Sequence, residues 1–279
     1  MTSPSPIRPI RSALFVPGSR PRAIEKAAGL GADMLILDLE DAAGPDEKAD
    51  ARGRVSDALA QWAGCGAVRA IRVNAIGTGL EADDIAAAMG ADAIVMPKVE
   101  GVADIEAARA LMPDGPPLWA MIETPLALFH LREIGEAAGA LNLSGVIAGT
   151  NDLSKELKAM GRGAMTPHLA QIVAAGRAYG LTPLDGVFNA YQDAHGFAAE
   201  ASEGRALGFA GKSLIHPSQV QAANKAFGPL NDEIDAARRL VAAFALPENA
   251  GKGAIPFEGR MAERLHLAEA EALLKLSED

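Results

Sequence analysis

The amino-acid sequence predicts an α/β protein, a closed (β/α)8 TIM barrel, and three observations carry that expectation. Apolar runs of strand length recur eight times, each followed by an Ala-rich, helix-like stretch. The runs are continuous rather than alternating, as parallel strands buried on both faces should be. The length, 279 residues, is typical of one such barrel, and eight repeats favour closure over an open doubly wound sheet.

In order, the strand candidates are Ser12–Pro17, Met34–Leu39, Val68–Val73, Ala93–Pro97, Leu118–Glu123, Gly145–Ala148, Pro183–Val187 and Lys212–His216. Each is short and rich in Ile, Val, Leu or Met. Between them, Arg22–Leu30, Asp46–Trp62, Gly101–Leu111 and Ala190–Leu207 are expected to be helical. No composition break divides the chain before residue 217. Beyond it helices dominate: Ser218–Phe227, Asp232–Phe244 and, after the Gly- and Pro-bearing segment Pro247–Phe257, a last helix over Glu258–Leu276. The expected organisation is a barrel domain of residues 1–228. A C-terminal helical extension of residues 229–279 follows, acting as a lid or as an oligomerisation element.

Composition narrows the function. Apolar residues make up 49% of the chain, enough for a sizeable core. A net charge of −10 argues against nucleic-acid and anionic-membrane partners, though a local Arg/Lys cluster can still hold an anionic small molecule. Cys65 is the only cysteine, which excludes an intrachain disulfide and a Cys-rich zinc site. The segment from Met1 to Arg11 carries Pro4, Pro6 and Pro9 but no apolar core of a secretory signal, and no stretch is long enough to span a bilayer. A soluble cytoplasmic protein is expected.

In a barrel of this kind the carboxyl ends of the strands face the active site. Here they collect polar groups: Asp38, Glu40 and Asp41, then Arg72 and Asn74, Lys98, Glu123, Asn151 and Asp152, Asp185, and His216. Glu123 and Asp152 would offer two oxygens to a hard cation, Mg²⁺, leaving positions for water and substrate. Arg72 is permanently charged and forked, suited to a carboxylate or enolate oxygen beside that ion. Cation and arginine together stabilise negative charge developing on one oxygen, as carbon–carbon cleavage through an enolate requires. The competing reading of the two acids is helix capping or a buried ion pair. Asp38, Glu40 and Asp41 either extend the metal's outer surroundings or hold Arg72 by a bidentate pair; a supporting role that orients the contacting groups is preferred over direct ligation of the ion.

The histidines lack metal-ligand spacing; His130, His168, His195 and His266 are read as ordinary helix or loop residues. His216 is the exception, at a strand end, where it is either structural or close to substrate. The first unit adds Arg20, Arg22 and Lys26 at a helix start after Pro17-Gly18, an anion site without a Gly-rich phosphate loop and so suited to peripheral phosphates.

With these residues in hand, the chain resembles the citrate lyase β-subunit and malyl-CoA lyase family of the HpcH/HpaI aldolase superfamily, phosphoenolpyruvate/pyruvate-binding barrels. The likeness runs from about Arg11 to Leu274. It rests on Phe15-Val16-Pro17-Gly18, Leu37-Asp38-Leu39-Glu40-Asp41, Arg72-Val73-Asn74, Met96-Pro97-Lys98, Ile122-Glu123-Thr124, Asn151-Asp152 and Gly211-Lys212-Ser213-Leu214-Ile215-His216-Pro217. The resemblance implies a trimer-based barrel, homotrimer or hexamer, that cleaves or forms 3-hydroxyacyl thioesters with Mg²⁺. It assigns Glu123 and Asp152 to the metal and Arg72 to the substrate's carboxylate end. Phe15, Arg20 and Lys26 match coenzyme A contacts, and Ile215 and His216 a further substrate-proximal segment.

One departure stands out. The thioester lyases carry Gly-Lys-Gly-Ala-Phe and later Met-Ile-Asp, whose Asp serves a neighbouring subunit's site as acid/base. Here the segments are Gly251-Lys252-Gly253-Ala254-Ile255 and Met261-Ala262-Glu263, without the Pro that usually follows. Glu263 stands in the Asp position with its carboxylate displaced by one methylene. The expected activity is a Mg²⁺-dependent carbon–carbon lyase on a malyl- or citramalyl-CoA-type thioester, its partners a CoA thioester and a 2-oxo acid. Alternatives are a malyl-CoA-type thioesterase, a citrate lyase β-subunit acting on a carrier-protein thioester, and a degenerate CoA-thioester-binding protein.

Overall fold

Strands with apolar side chains on both faces must be covered on both, and closure of the sheet does this. In the computed structural model, which describes residues 9–41, 44 and 47–278, eight parallel strands close in sequential order, the first pairing with both the second and the eighth. They are β1 (Ser12–Pro17), β2 (Met34–Asp38), β3 (Val68–Arg72), β4 (Ala93–Met96), β5 (Leu118–Ile122), β6 (Leu143–Ala148), β7 (Thr182–Asp185) and β8 (Gly211–Leu214). Successive residues point to opposite faces. Met34, Ile36, Ala70, Val95, Trp119, Met121, Ile147 and Leu184 pack together inside the barrel. Leu35, Leu37, Ile71, Ile94 and Val146 pack outward against the helices. Trp119 fills the interior because Gly145 faces it across a register shift between β5 and β6; a Cβ there would overlap the indole.

The helices are α1 (Pro21–Ala27), α2 (Lys48–Gln61), α3 (Glu81–Ala88), α4 (Val102–Leu111), α5 (Pro125–Phe129), α6 (Leu131–Ala137), α7 (Thr150–Leu157), α8 (Arg162–Ala178), α9 (Ala194–Leu207) and α10 (Val220–Phe227). Their starts have local causes. Thr124 caps α5 by accepting a hydrogen bond from Ala127 N at 3.2 Å, with Pro125 at the first helical position. Asp193 caps α9 through Gly196 N at 2.9 Å, which is why that helix begins at Ala194 and not at Ala190. Strand ends at the carboxyl rim fall up to two residues short of the sequence expectation, because there the chain leaves the ladder for the loops. The expected helix start at Asp46 lies outside the described residues, as do Pro4 and Pro6.

The chain divides into two compact units between Phe227 and Gly228. The second contains α11 (Asn231–Phe244), a hairpin of β9 (Ala254–Phe257) and β10 (Arg260–Glu263), and α12 (Arg264–Glu278) around Leu240, Phe244, Ile255 and Ala262. The hairpin corrects the expectation of an unbroken helix from Glu258. Glu258 and Gly259 both have positive φ, the two-residue turn that matches strand twist, and Arg260 pairs back to Phe257. Among the described residues no helix is long and apolar enough to cross a membrane.

Candidate active site

Parallel register sets Asp38, the last residue of β2, beside Arg72, the last of β3. Arg72 Nε and Nη2 donate to the two oxygens of Asp38 at 2.8 and 2.7 Å, a fork-to-fork pair. Arg72 Nη1 lies 2.8 Å from Glu40 Oε2, and Asp41 Oδ2 is 3.4 Å from Nη2. The guanidinium carbon sits 4.9 Å over the Phe15 ring. Burial alone would lower the Arg72 pKa, but the Asp38 hydrogen bonds and the charges of Asp38, Glu40 and Asp41 outweigh it and raise the net value. Glu40 also accepts from Lys98 Nζ at 2.9 Å. Burial raises its pKa, with Arg72 and Lys98 pulling the other way. The acidic triplet therefore holds Arg72.

A second set of contacts fixes the loop that carries the triplet. Lys48 of α2, buried, donates to Leu39 O and Glu40 O at 2.6 Å each and to Asn74 Oδ1 at 2.8 Å. Asn74 in turn donates to Asp84, which accepts from Arg52 at 2.6 Å. Asn74, expected at the rim, thus belongs to this support.

Glu123 follows β5 directly and is buried. Its Oε1 accepts from Lys98 N at 2.6 Å. Gly149 at the end of β6 makes the room, since a Cβ there would overlap Glu123 Cβ and Oε2. Burial pushes the Glu123 carboxyl up to about 7; the charges of Glu40 and Asp152 add to this, and Lys98 N–H and Arg72 oppose it. Asp152, in the first turn of α7, is half-buried. Both acids line a cavity of about 300 Å³ together with Asp38, Asp41 and Arg72. They also line a cleft with Asp41 and Lys98.

This donor set fits a hard divalent cation. All donors are carboxylates, five of them (Asp38, Glu40, Asp41, Glu123, Asp152) against Arg72 and Lys98, and burial penalises the charge on Glu123 by more than Arg72 and the Lys98 N–H offset. Glu123 and Asp152 would hold the ion. No cluster of three or more metal-binding side chains occurs among the described residues, so the remaining oxygens would come from water or substrate.

A second cavity, about 220 Å³, adjoins the first and shares Phe15, Pro17 and Ile215 with it. Its walls bring together Arg20, Lys26, Leu30 and His216, so the groups assigned from two distant sequence segments meet in one groove. Arg20 and Lys26 are exposed. His216 Nδ1 is 2.8 Å from Ser218 Oγ and accepts from Ser218 N at 3.2 Å, and its ring stacks on Tyr191 with centroids 4.4 Å apart. It is both a cap and a wall.

One expected rim group lies elsewhere. Asp185 is fully buried and faces the helix layer, where Lys212 Nζ and Arg162 Nη2 donate to its Oδ2 at 2.8 and 2.9 Å. Leu184 takes the interior position, and the alternation sends Asp185 outward. It is a structural ion cluster. Glu263 ends β10 in the second unit; its side chain is exposed and its N–H donates to His266 Nδ1 at 3.0 Å.

The fold and site define a barrel with a carboxylate-rich mouth opening on an apolar groove with a basic edge. Residues 11–217 match the HpcH/HpaI aldolase/citrate lyase family, and the chain belongs to that family. It is 44% identical over 275 residues to a (3S)-malyl-CoA thioesterase of Cereibacter sphaeroides, covering 97% of this chain and 95% of the relative. It is 32% identical over 307 residues to an L-malyl-CoA/beta-methylmalyl-CoA lyase of the same organism, covering 99% and 96%. Among solved structures it resembles protein CitE from Mycobacterium tuberculosis in complex with magnesium, acetoacetate and coenzyme A. That match has a TM-score of 0.79 and 30% identity over 96% of this chain and 98% of the other.

Proposed function

We propose that this protein is a Mg²⁺-dependent enzyme acting on short 3-hydroxydicarboxylyl-CoA thioesters of the malyl-CoA type. The observation that carries the reading is the shared wall of the two cavities. Phe15 and Ile215 border both the carboxylate chamber and the groove edged by Arg20 and Lys26. A ligand with a charged acyl end and a phosphate-bearing, partly apolar tail fits that pairing. The magnesium and coenzyme A in the CitE complex support the same assignment. A divalent ion on Glu123 and Asp152 would neutralise their charge and polarise an oxygen beside Arg72.

Two reactions use such a complex. In hydrolysis, water adds to the thioester carbonyl, the C–S bond breaks, and the thiol leaves with a proton. In lysis, a base takes the 3-hydroxyl proton, the C2–C3 bond breaks, and the thioester enolate is reprotonated. In either case Arg72 would steady the oxygen that becomes more negative, and Glu263, delivered from a neighbouring subunit, is the proposed proton-transfer group. Hydrolysis is the favoured reading, supported by the 44% identity to the thioesterase against 32% to the lyase and by Glu263 in place of the lyases' Asp. Lysis, the first expectation from sequence, is the second reading.

The test is product analysis with malyl-CoA and Mg²⁺. Malate with free CoA is expected. Glyoxylate with acetyl-CoA would replace hydrolysis by lysis, and no turnover would overturn both.

A further inference from the structure

The five N–H donors of Arg72 all have partners. Nε–H serves Asp38 Oδ1, Nη2 serves Asp38 Oδ2 and Asp41 Oδ2, and Nη1 faces Glu40 Oε2 and, at 3.9 Å, Met121 Sδ. One face of the guanidinium is covered by Phe15. An incoming carboxylate or enolate oxygen can therefore reach Arg72 only by displacing one of them.

The partners differ greatly in what holds them. The Asp38 side chain is 6% exposed, grips two donors and accepts from Glu40 N at 2.9 Å. Glu40 is 8% exposed and tied to a second cation, Lys98. Met121 is part of the packed barrel interior, and moving it would open a void there. Asp41 is unlike these. It meets Arg72 at one point, at 3.4 Å, with its side chain 71% exposed. Exposed, singly bonded ion pairs are the weakest kind. Asp41 also lines both the chamber and the cleft that contains Glu123 and Asp152, so it stands where a ligand would cross from one to the other.

We infer that Asp41 occupies the place on Arg72 that a substrate's anionic oxygen takes, and that it gives way on binding. Asp41 is then a specificity-determining residue. Only a ligand bringing an anionic oxygen of its own repays the lost pair, so the site favours the acid end of a 2-oxo acid or dicarboxylyl thioester over a neutral acyl group. A ligand for which the competent state must first be vacated binds more weakly by the fraction vacated. The inference rests on the reading of Arg72 as the group that binds substrate acid.

Calorimetric titration of pyruvate into the full-length protein with saturating Mg²⁺ tests it. Asp41→Asn should tighten pyruvate binding about two- to fivefold, the range that corresponds to an exposed ion pair. Asp41→Glu, which keeps the charge on a longer, exposed side chain still able to meet Arg72, should bring the affinity back toward the parental value. Glu156→Gln removes a charge from the same cleft without touching Arg72 and should change little, which separates displacement from general charge repulsion. Coenzyme A affinity should not move. If the parent binds pyruvate and Asp41→Asn binds it no better, the inference is overturned while the function stands. Weakened Mg²⁺ binding in Asp41→Asn overturns it in favour of a role at the cation. If the parent binds no pyruvate with or without Mg²⁺, the reading of Arg72 fails and takes the inference with it.

Discussion

The backbone N–H of Lys98 donates to Glu123 Oε1 across 2.6 Å, and Lys98 does this from a left-handed conformation, φ 50°. That region is uncommon for a residue with a Cβ and marks sites where the surroundings impose a conformation. Here the conformation serves two acids. The N–H satisfies the buried carboxylate of Glu123, and the side chain of the same residue reaches Glu40, which holds Arg72. The Glu123 half and the Arg72 half of the site are thereby joined through one residue.

Substitutions at Lys98 separate these roles. Lys98→Gly keeps the N–H and removes the cost of positive φ, losing only a half-exposed ion pair of small worth. Lys98→Val cannot hold the left-handed conformation without strain and turns its N–H away from Glu123. Lys98→Val should be less stable than Lys98→Gly by about 2–4 kcal/mol, from strain plus a lost charged hydrogen bond. Denaturant unfolding measures the difference; equal stabilities would remove the left-handed turn from the account of the site.

Burial of Glu123 makes the metal-free protein sensitive to pH. Its carboxyl is raised from an unfolded value near 4.5 to about 7 in the fold. A raised folded pKa means that no stability is lost below about pH 4.5; the cost of charging Glu123 grows as pH rises to 7 and is complete above it. Glu123→Gln abolishes that cost and keeps an acceptor for Lys98 N–H. In metal-free buffer at pH 8 the variant should be more stable than the parent by about 2–4 kcal/mol, an advantage that fades toward pH 5. Mg²⁺ should stabilise the parent and leave the variant unchanged. Melting curves that track each other at every pH would exclude the burial argument.

Much of this was legible in the sequence, for reasons particular residues make plain. Continuous apolar runs such as Met34–Asp38 and Leu118–Ile122 can satisfy both faces only in a covered parallel sheet, so strand order and the polar rim at the strand ends followed together. The pairing of Arg72 with Asp38 was also within reach, because adjacent strand ends share a rim. What sequence could not reveal was direction. Asp185 and Asn74 sit at strand ends as Glu123 does, yet one turns to Lys212 and the other to Asp84 and Lys48, partners set by helices whose placement a single sequence does not encode. Nor did spacing announce the hairpin at Glu258-Gly259, since Glu is a helix former and its positive φ here is a tertiary outcome.

The groove edge offers a kinetic signature. Arg20 and Lys26 line it but not the carboxylate chamber, so their proposed phosphate partners are remote from the reacting bond. Binding lost there is lost nearly equally from ground and transition states. Arg20→Ala and Lys26→Ala should each raise KM for a CoA thioester several-fold with kcat within about twofold of the parent. A collapse of kcat at constant KM would move these residues into the chemistry.

The last prediction concerns Glu263 and the subunit it serves. The second unit has a hydrophobic core of its own around Leu240, Phe244, Ile255 and Ala262. Glu263 ends a hairpin strand with its side chain exposed, an arrangement suited to a group delivered to another surface. If that surface is a neighbouring subunit's mouth, Arg72 and Glu263 of one working site come from different chains. Inactive Arg72→Ala and inactive Glu263→Gln proteins should then complement each other. Random mixing in a cyclic oligomer leaves about a quarter of sites with both groups intact, and activity should recover toward that fraction. Subunit exchange must first be established with labelled protein. Exchanged oligomers that remain dead, each parent oligomer being folded, would confine Glu263 to its own subunit or remove it from the reaction.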